Sequence, residues 1–175
     1  QIRINGNQHS ATKHYQFNYG YIPMWVVVKV LSFGIVCELY TIMKKEDQIE
    51  ISNIYKIDPN TLCIYLPILA NYRNLCAHED ILFNHETQKT IADTTFHLQL
   101  GIPKVDDEYI YGKHDIFALL IILKELLTTD DFKMMMNEIC YEIDKLSSKL
   151  KVIDVSKVLY RMGFPENYKQ LSYLE

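Results

Sequence analysis

The sequence predicts an all-α domain of four main helices, several short ones and one long irregular excursion. Three observations carry that expectation. An apolar run extends from Met24 to Met43, too long for a strand. Asp58-Pro59 is a helix-start signal, an N-cap residue followed by a proline whose missing amide costs nothing at that position. Met135, Ile139, Ile143, Leu146 and Leu150 recur at helical spacing.

Taken in order, residues 1–22 are polar and aromatic. Pro23 opens the apolar run, which reads as one buried central helix because it is apolar nearly all round. Lys29, Gly34 and Glu38 inside it argue against a membrane span. A short helix is expected over Ile49–Ile57. The helix opened by Pro59 should run to about Glu79, with Pro67 kinking or dividing it. Periodicity fails from Asp80 to Lys113, where Thr94–Leu100 could form a short strand. Helices return at Asp115–Leu127 and from Asp130 to about Leu150. Asp154 then caps a short helix, Val155–Met162, that Gly163 stops, and a last helical turn follows Phe164-Pro165.

The 175 residues suit one domain with a proper core, and a 49% hydrophobic content excludes a disordered chain. A formal charge of −4 excludes a chain coated in lysine for non-specific nucleic-acid binding. The charge is uneven. Residues 1–37 carry Arg3, Lys13 and Lys29 and no acid, a basic face that could attract a polyanion, although with so few charges the plainer reading is a chance lack of acids. Cys37, Cys63, Cys76 and Cys140 lack paired spacing and read as buried free thiols in a reducing compartment such as the cytoplasm. The start at Gln1 reads as mid-domain, so the chain is expected to be the C-terminal portion of a longer protein.

The densest set of reactive groups is Asn71-Tyr72-Arg73-Asn74-Leu75-Cys76-Ala77-His78-Glu79. At about 100° per residue, Leu62, Leu66, Leu69, Arg73 and Cys76 share one stripe, which puts Arg73 on the packing side. There it would need a partner such as Glu38, because a guanidinium keeps its charge. Asn74 and His78 stack one turn apart on another arc. Arg73 and His78 differ by roughly 140° on a regular helix. They meet only if the helix unwinds, if Arg73 reaches round, or if a second chain supplies the missing group. His78-Glu79 and His85-Glu86 do not complete a zinc motif, so no metal and no cofactor is expected.

Arg73-Asn74-Leu75-Cys76-Ala77-His78 resembles the R-x4-H motif of the HEPN superfamily, in the R-N-x-C-A-H form of Abi-like abortive-infection proteins of the AbiD/AbiF type. Pro23-x-Trp25, Ser32-Phe33-Gly34, Leu39-Tyr40 and Met162-Gly163-Phe164-Pro165 resemble further landmarks of that family, so the likeness spans residues 15–170. Lys29 departs from it, standing where an acid is expected. The resemblance implies a HEPN-like helical bundle and a metal-independent endoribonuclease. In it, Arg73, Asn74 and His78 would be catalytic, and two copies would face each other as a homodimer. It also implies RNA as substrate, a small-RNA or protein antitoxin as a further partner, and no membrane. Lys13, Tyr19, Trp25 and Lys29 could supply RNA contacts, although the plainer role of such aromatics is in cores and turns. Two other readings stand beside the nuclease. One is a non-catalytic RNA-binding or scaffold HEPN domain. The other, a toxin modified on a tyrosine two residues after the histidine, is disfavoured because Asp80 stands there.

Overall fold

The computed structural model describes residues 9–174. Arg3 and the Gln1 start lie outside them. The described chain is helical apart from one small hairpin, in agreement with the all-α expectation.

The long apolar run is two helices rather than one. After α1 (Ser10–Tyr19), α2 covers Met24–Val30 and α3 covers Phe33–Ile42. Leu31 and Ser32 between them are extended, and the Ser32 hydroxyl accepts the Ile35 amide at 3.4 Å. Serine offers the backbone that alternative to helix, so an N-cap wins over a continuous run. Helix α4 (Lys45–Ile54) ends three residues earlier than expected.

Helix α5 (Pro59–Ala77) continues through Pro67 without being divided. The Asp58 carboxylate accepts the amides of Asn60 and Thr61, as the Asp-Pro start demands. Its buried stripe is Leu62, Tyr65, Ile68 and Tyr72, not the leucine stripe that would hold Arg73. The two phenols can turn inward because each finds an acceptor. Tyr65 donates to Glu125 at 2.8 Å and Tyr72 to the His85 carbonyl at 3.3 Å.

The excursion between α5 and α7 is irregular, as its lost periodicity predicts. The expected strand at Thr94–Leu100 is instead a short helix, α6 (Thr95–Gln99). Fully buried His97 decides this. Its Nδ1 accepts the Thr94 amide at 3.1 Å and its Nε2 donates to the Gly112 carbonyl at 2.9 Å. The first bond closes a helical turn onto its own start. Two residues each of β1 (Lys104–Val105) and β2 (Glu108–Tyr109) then pair antiparallel, Lys104 opposite Tyr109. The intervening Asp106 and Asp107 both have positive φ, as a type I′ turn requires.

Helix α7 (Ile116–Leu126) is the centre of the core, with Phe117, Ile121 and Ile122 fully buried. Helix α8 (Thr129–Lys149) lays Phe132 and Met136 against it. Met135, Ile139 and Ile143 continue that face, whereas Leu146 is exposed at its far end. Helix α9 (Val155–Arg161) and a 3-10 turn (Tyr168–Ser172) close the domain on α8. Gly163 adopts φ +81°, and the Asp115 carboxyl lies where its Cβ would be. That carboxyl also accepts the amides of Gly112 and Ala118, so one side chain joins the excursion to the start of α7 while it packs closely on the backbone of Gly163.

Candidate functional site

Arg73, Asn74 and His78 all lie on the exposed surface at the C-terminal end of α5. The placement of Arg73 on the packing side is therefore wrong for the single chain. Its guanidinium needs no buried counter-ion, and among the described residues it makes no salt bridge to Glu38 or any other acid. Arg73 Nη1 instead donates to Asn74 Oδ1 at 3.2 Å. That contact draws the charged head around the helix toward the arc that Asn74 shares with His78.

The helix ends where the histidine begins. His78 is the C-cap residue, its amide still bonded to the Asn74 carbonyl at 3.0 Å. Glu79 then takes φ +56°, and Asp80 donates back to the Leu75 carbonyl at 3.0 Å. This is the Schellman closure, with glutamate in the left-handed position that glycine usually fills. The helical hydrogen bonding therefore reaches His78 itself, and the backbone leaves the helix only at Glu79.

One residue of this surface was missed from sequence. His85 returns from the excursion to α5, and its Nε2 lies 2.6 Å from Asn71 Oδ1. Its ring meets Tyr72 edge-on at 5.3 Å. Asn71 is one turn before Asn74, so the exposed end of α5 presents an arginine, two amides and two histidines. The contact joins residues 14 apart through an irregular loop, which helical periodicity does not register. His114 lies further along, 3.6 Å from Glu86. Among the described residues no group of three or more His, Cys, Asp or Glu side chains is arranged to hold a metal ion.

The four residues named for RNA contact are also on the surface. Tyr19 is 59% exposed and Trp25 54%, which removes the core role for them. Trp25 packs edge-on against Tyr15 at 5.4 Å, Tyr15 lies 5.6 Å from Tyr19, and Lys29 Nζ sits 5.4 Å from the Trp25 ring. Lys13 is exposed on α1. Of the cysteines expected to be buried, Cys37 is, Cys63 and Cys140 are partly so, and Cys76 is exposed beside the motif. All four are free thiols. Burial pushes the Cys37 thiol up. A groove of about 980 Å³ lies elsewhere, between Leu100–Pro103 and α9, and touches none of the motif residues. No helix among the described residues is long and apolar enough to cross a membrane.

Residues 1–84 match the family model described as Abi-like protein. This chain carries an Abi-like region. The match takes in α1 to α5 and the whole Arg73–His78 segment, together with the loop that carries Leu82 toward His85. Comparison with curated proteins and with solved structures found no match to the chain.

Proposed function

We propose that this Abi-like chain is a metal-independent endoribonuclease of an abortive-infection system, with a HEPN-type site built from Arg73, Asn74 and His78 in two facing copies. The observation that carries the proposal is the exposed Arg73–Asn74 pair set one turn before a histidine at a helix end. An exposed guanidinium turned by a neighbouring amide is placed to receive a phosphate from outside the chain. Histidine is the side chain that gains and loses a proton near neutrality.

The reaction follows from those groups. A His78 imidazole takes the proton from a ribose 2′-hydroxyl, and O2′ attacks the adjacent phosphorus. The P–O5′ bond breaks, and O5′ takes a proton from the histidine of the other copy. The products are a 2′,3′-cyclic phosphate and a 5′-hydroxyl. Arg73 balances the charge that builds on the non-bridging oxygens, and Asn74 holds the arginine head in place. Two copies supply both the base and the acid, which one His78 alone does not.

The test is cleavage of labelled RNA by purified protein in chelator. Arg73→Ala and His78→Ala should each lower the rate by a factor of ~100 or more, as loss of a general base or a phosphate ligand does. Melting temperatures should stay near the parent's, because both side chains are exposed. Equal cleavage by parent and variants would remove the site. RNA retained by the parent without any product would favour the second reading, an RNA-binding or scaffold domain, which the exposed aromatic residues of α1 and α2 support. Growth arrest on expression, relieved by a co-expressed antitoxin, would test the toxin aspect.

A further inference from the structure

We infer that the aromatic ladder across α1 and α2 is a docking strip for single-stranded RNA. Tyr19, Tyr15 and Trp25 form consecutive rungs at ring spacings of 5.6 and 5.4 Å, and Tyr21 extends the Tyr19 end at 6.5 Å. Lys29 closes the other end over Trp25. Large aromatics normally spend their area on a core. Here Tyr19, Tyr21 and Trp25 each leave more than half of their surface in water. The rings are held by one another and not by the hydrophobic cluster centred on α7.

Charge identifies the occupant as anionic. Among the described residues up to 37, Lys13 and Lys29 are present and no acid is, in a chain whose total is −4. Lys13 and Lys29 are exposed on the same two helices as the rings. A second copy laid on this strip would bring like charges together, which opposes self-association. An anion that also offers flat apolar faces fits both features, and unpaired bases on a phosphate backbone are that chemistry. Duplex RNA keeps its bases stacked inward and cannot use the rings. The choice of RNA over DNA rests on the nuclease reading above; the strip itself does not.

The experiment uses the full chain carrying His78→Ala, so that RNA survives the measurement. Anisotropy of a short fluorescent oligouridylate reports affinity, with a duplex of the same length as comparison. Tyr19→Ser and Trp25→Ser should each weaken single-strand binding about ten-fold, and Trp25→Phe should restore most of it because a stacking face remains. Lys13→Ala and Lys29→Ala should each reduce the slope of log affinity against log salt by about 0.7. Thermal melts matching the parent's exclude unfolding as the cause. Unchanged affinity in both serine variants overturns the inference, as does duplex bound as tightly as single strand. Serine variants that only dissociate a dimer, with RNA affinity intact, also overturn it and make the ladder a contact between copies. Failure of the nuclease reading is seen separately. A parent that cuts no RNA but loses binding with the ladder sinks the nuclease alone, whereas cleavage indifferent to the ladder sinks the strip alone.

Discussion

Gly163→Ala tests the close packing of the Gly163 backbone on Asp115, the side chain that joins the excursion to α7. The backbone at 163 has φ +81°, and a left-handed conformation costs an L-residue roughly 1–2 kcal/mol. The new methyl would also overlap the Asp115 carboxyl and lie 2.7 Å from Asp115 Cβ. Asp115 cannot move without giving up the Gly112 amide at 2.9 Å and the Ala118 amide at 2.9 Å. Burial already pushes this carboxyl above the ordinary carboxylate range, and those amides oppose that push. Losing the α7 cap and its companion bond costs about 1–2 kcal/mol. The total is about 2–4 kcal/mol, a large share of the stability of a typical domain. In urea, with a slope near 2 kcal/mol per molar, the midpoint should fall by about 1–2 M. Asp115→Ala removes the cap by itself, so the double variant should be more stable than the summed single costs imply, by about 1–2 kcal/mol. A Gly163→Ala midpoint equal to the parent's, or strict additivity with Asp115→Ala, would refute this coupling of Gly163 to Asp115.

Other substitutions probe the motif and the buried histidine. Glu79→Gly should stabilise the chain by about 0.5–1 kcal/mol, because glycine relieves the φ +56° strain and removes an anion from a helix C-terminus. The melting temperature should rise by about 1–4 °C, and a fall would show that the glutamate side chain contributes more than its strain costs. Asn71→Ala should cost about 1 kcal/mol and speed amide exchange at residues 82–86 but not within α7, since it frees the His85 ring. Uniform exchange changes across the domain would contradict that local role. Burial holds the His97 imidazole below its usual value, so its contribution to stability is present above about pH 6.5 and lost as pH falls below that. The melting temperature should drop between pH 7.5 and 5, and His97→Asn should be less stable at neutral pH with a flatter profile. An equal slope in the variant would place the pH sensitivity elsewhere.

Local sequence fixed the ends of helices better than their faces. Asp58, Asp115 and Asp154 each cap the helix that follows them, and each accepts an amide within that helix's first residues. Capping needs only neighbours, so it is legible in a one-dimensional string. Ser32 is a capping residue of the same kind, but it lies within an apolar run whose periodicity alone predicts one continuous helix. The α6 segment went unrecognised because the bond from His97 to the Gly112 carbonyl, which makes its burial affordable, spans 15 residues. The reactive segment was found as a string of residue types, and its Asn74–His78 stacking follows from spacing alone.

The sequence by itself determined that the chain is helical, where α5, α7 and α9 start, and that an arginine, an amide and a histidine cluster at the end of α5. Tertiary structure decided which way that helix faces. Two stripes compete on α5, one through Leu62, Leu66, Leu69 and Arg73, the other through Leu62, Tyr65, Ile68 and Tyr72. Periodicity cannot choose between them, because both repeat at three to four residues. The tyrosines win because Glu125 and the His85 carbonyl, brought from elsewhere in the chain, satisfy their hydroxyls inside the core. A phenol so satisfied buries a large ring at little cost, whereas a guanidinium would carry its charge inward. The same choice leaves Arg73 on the surface with Asn74 and His78.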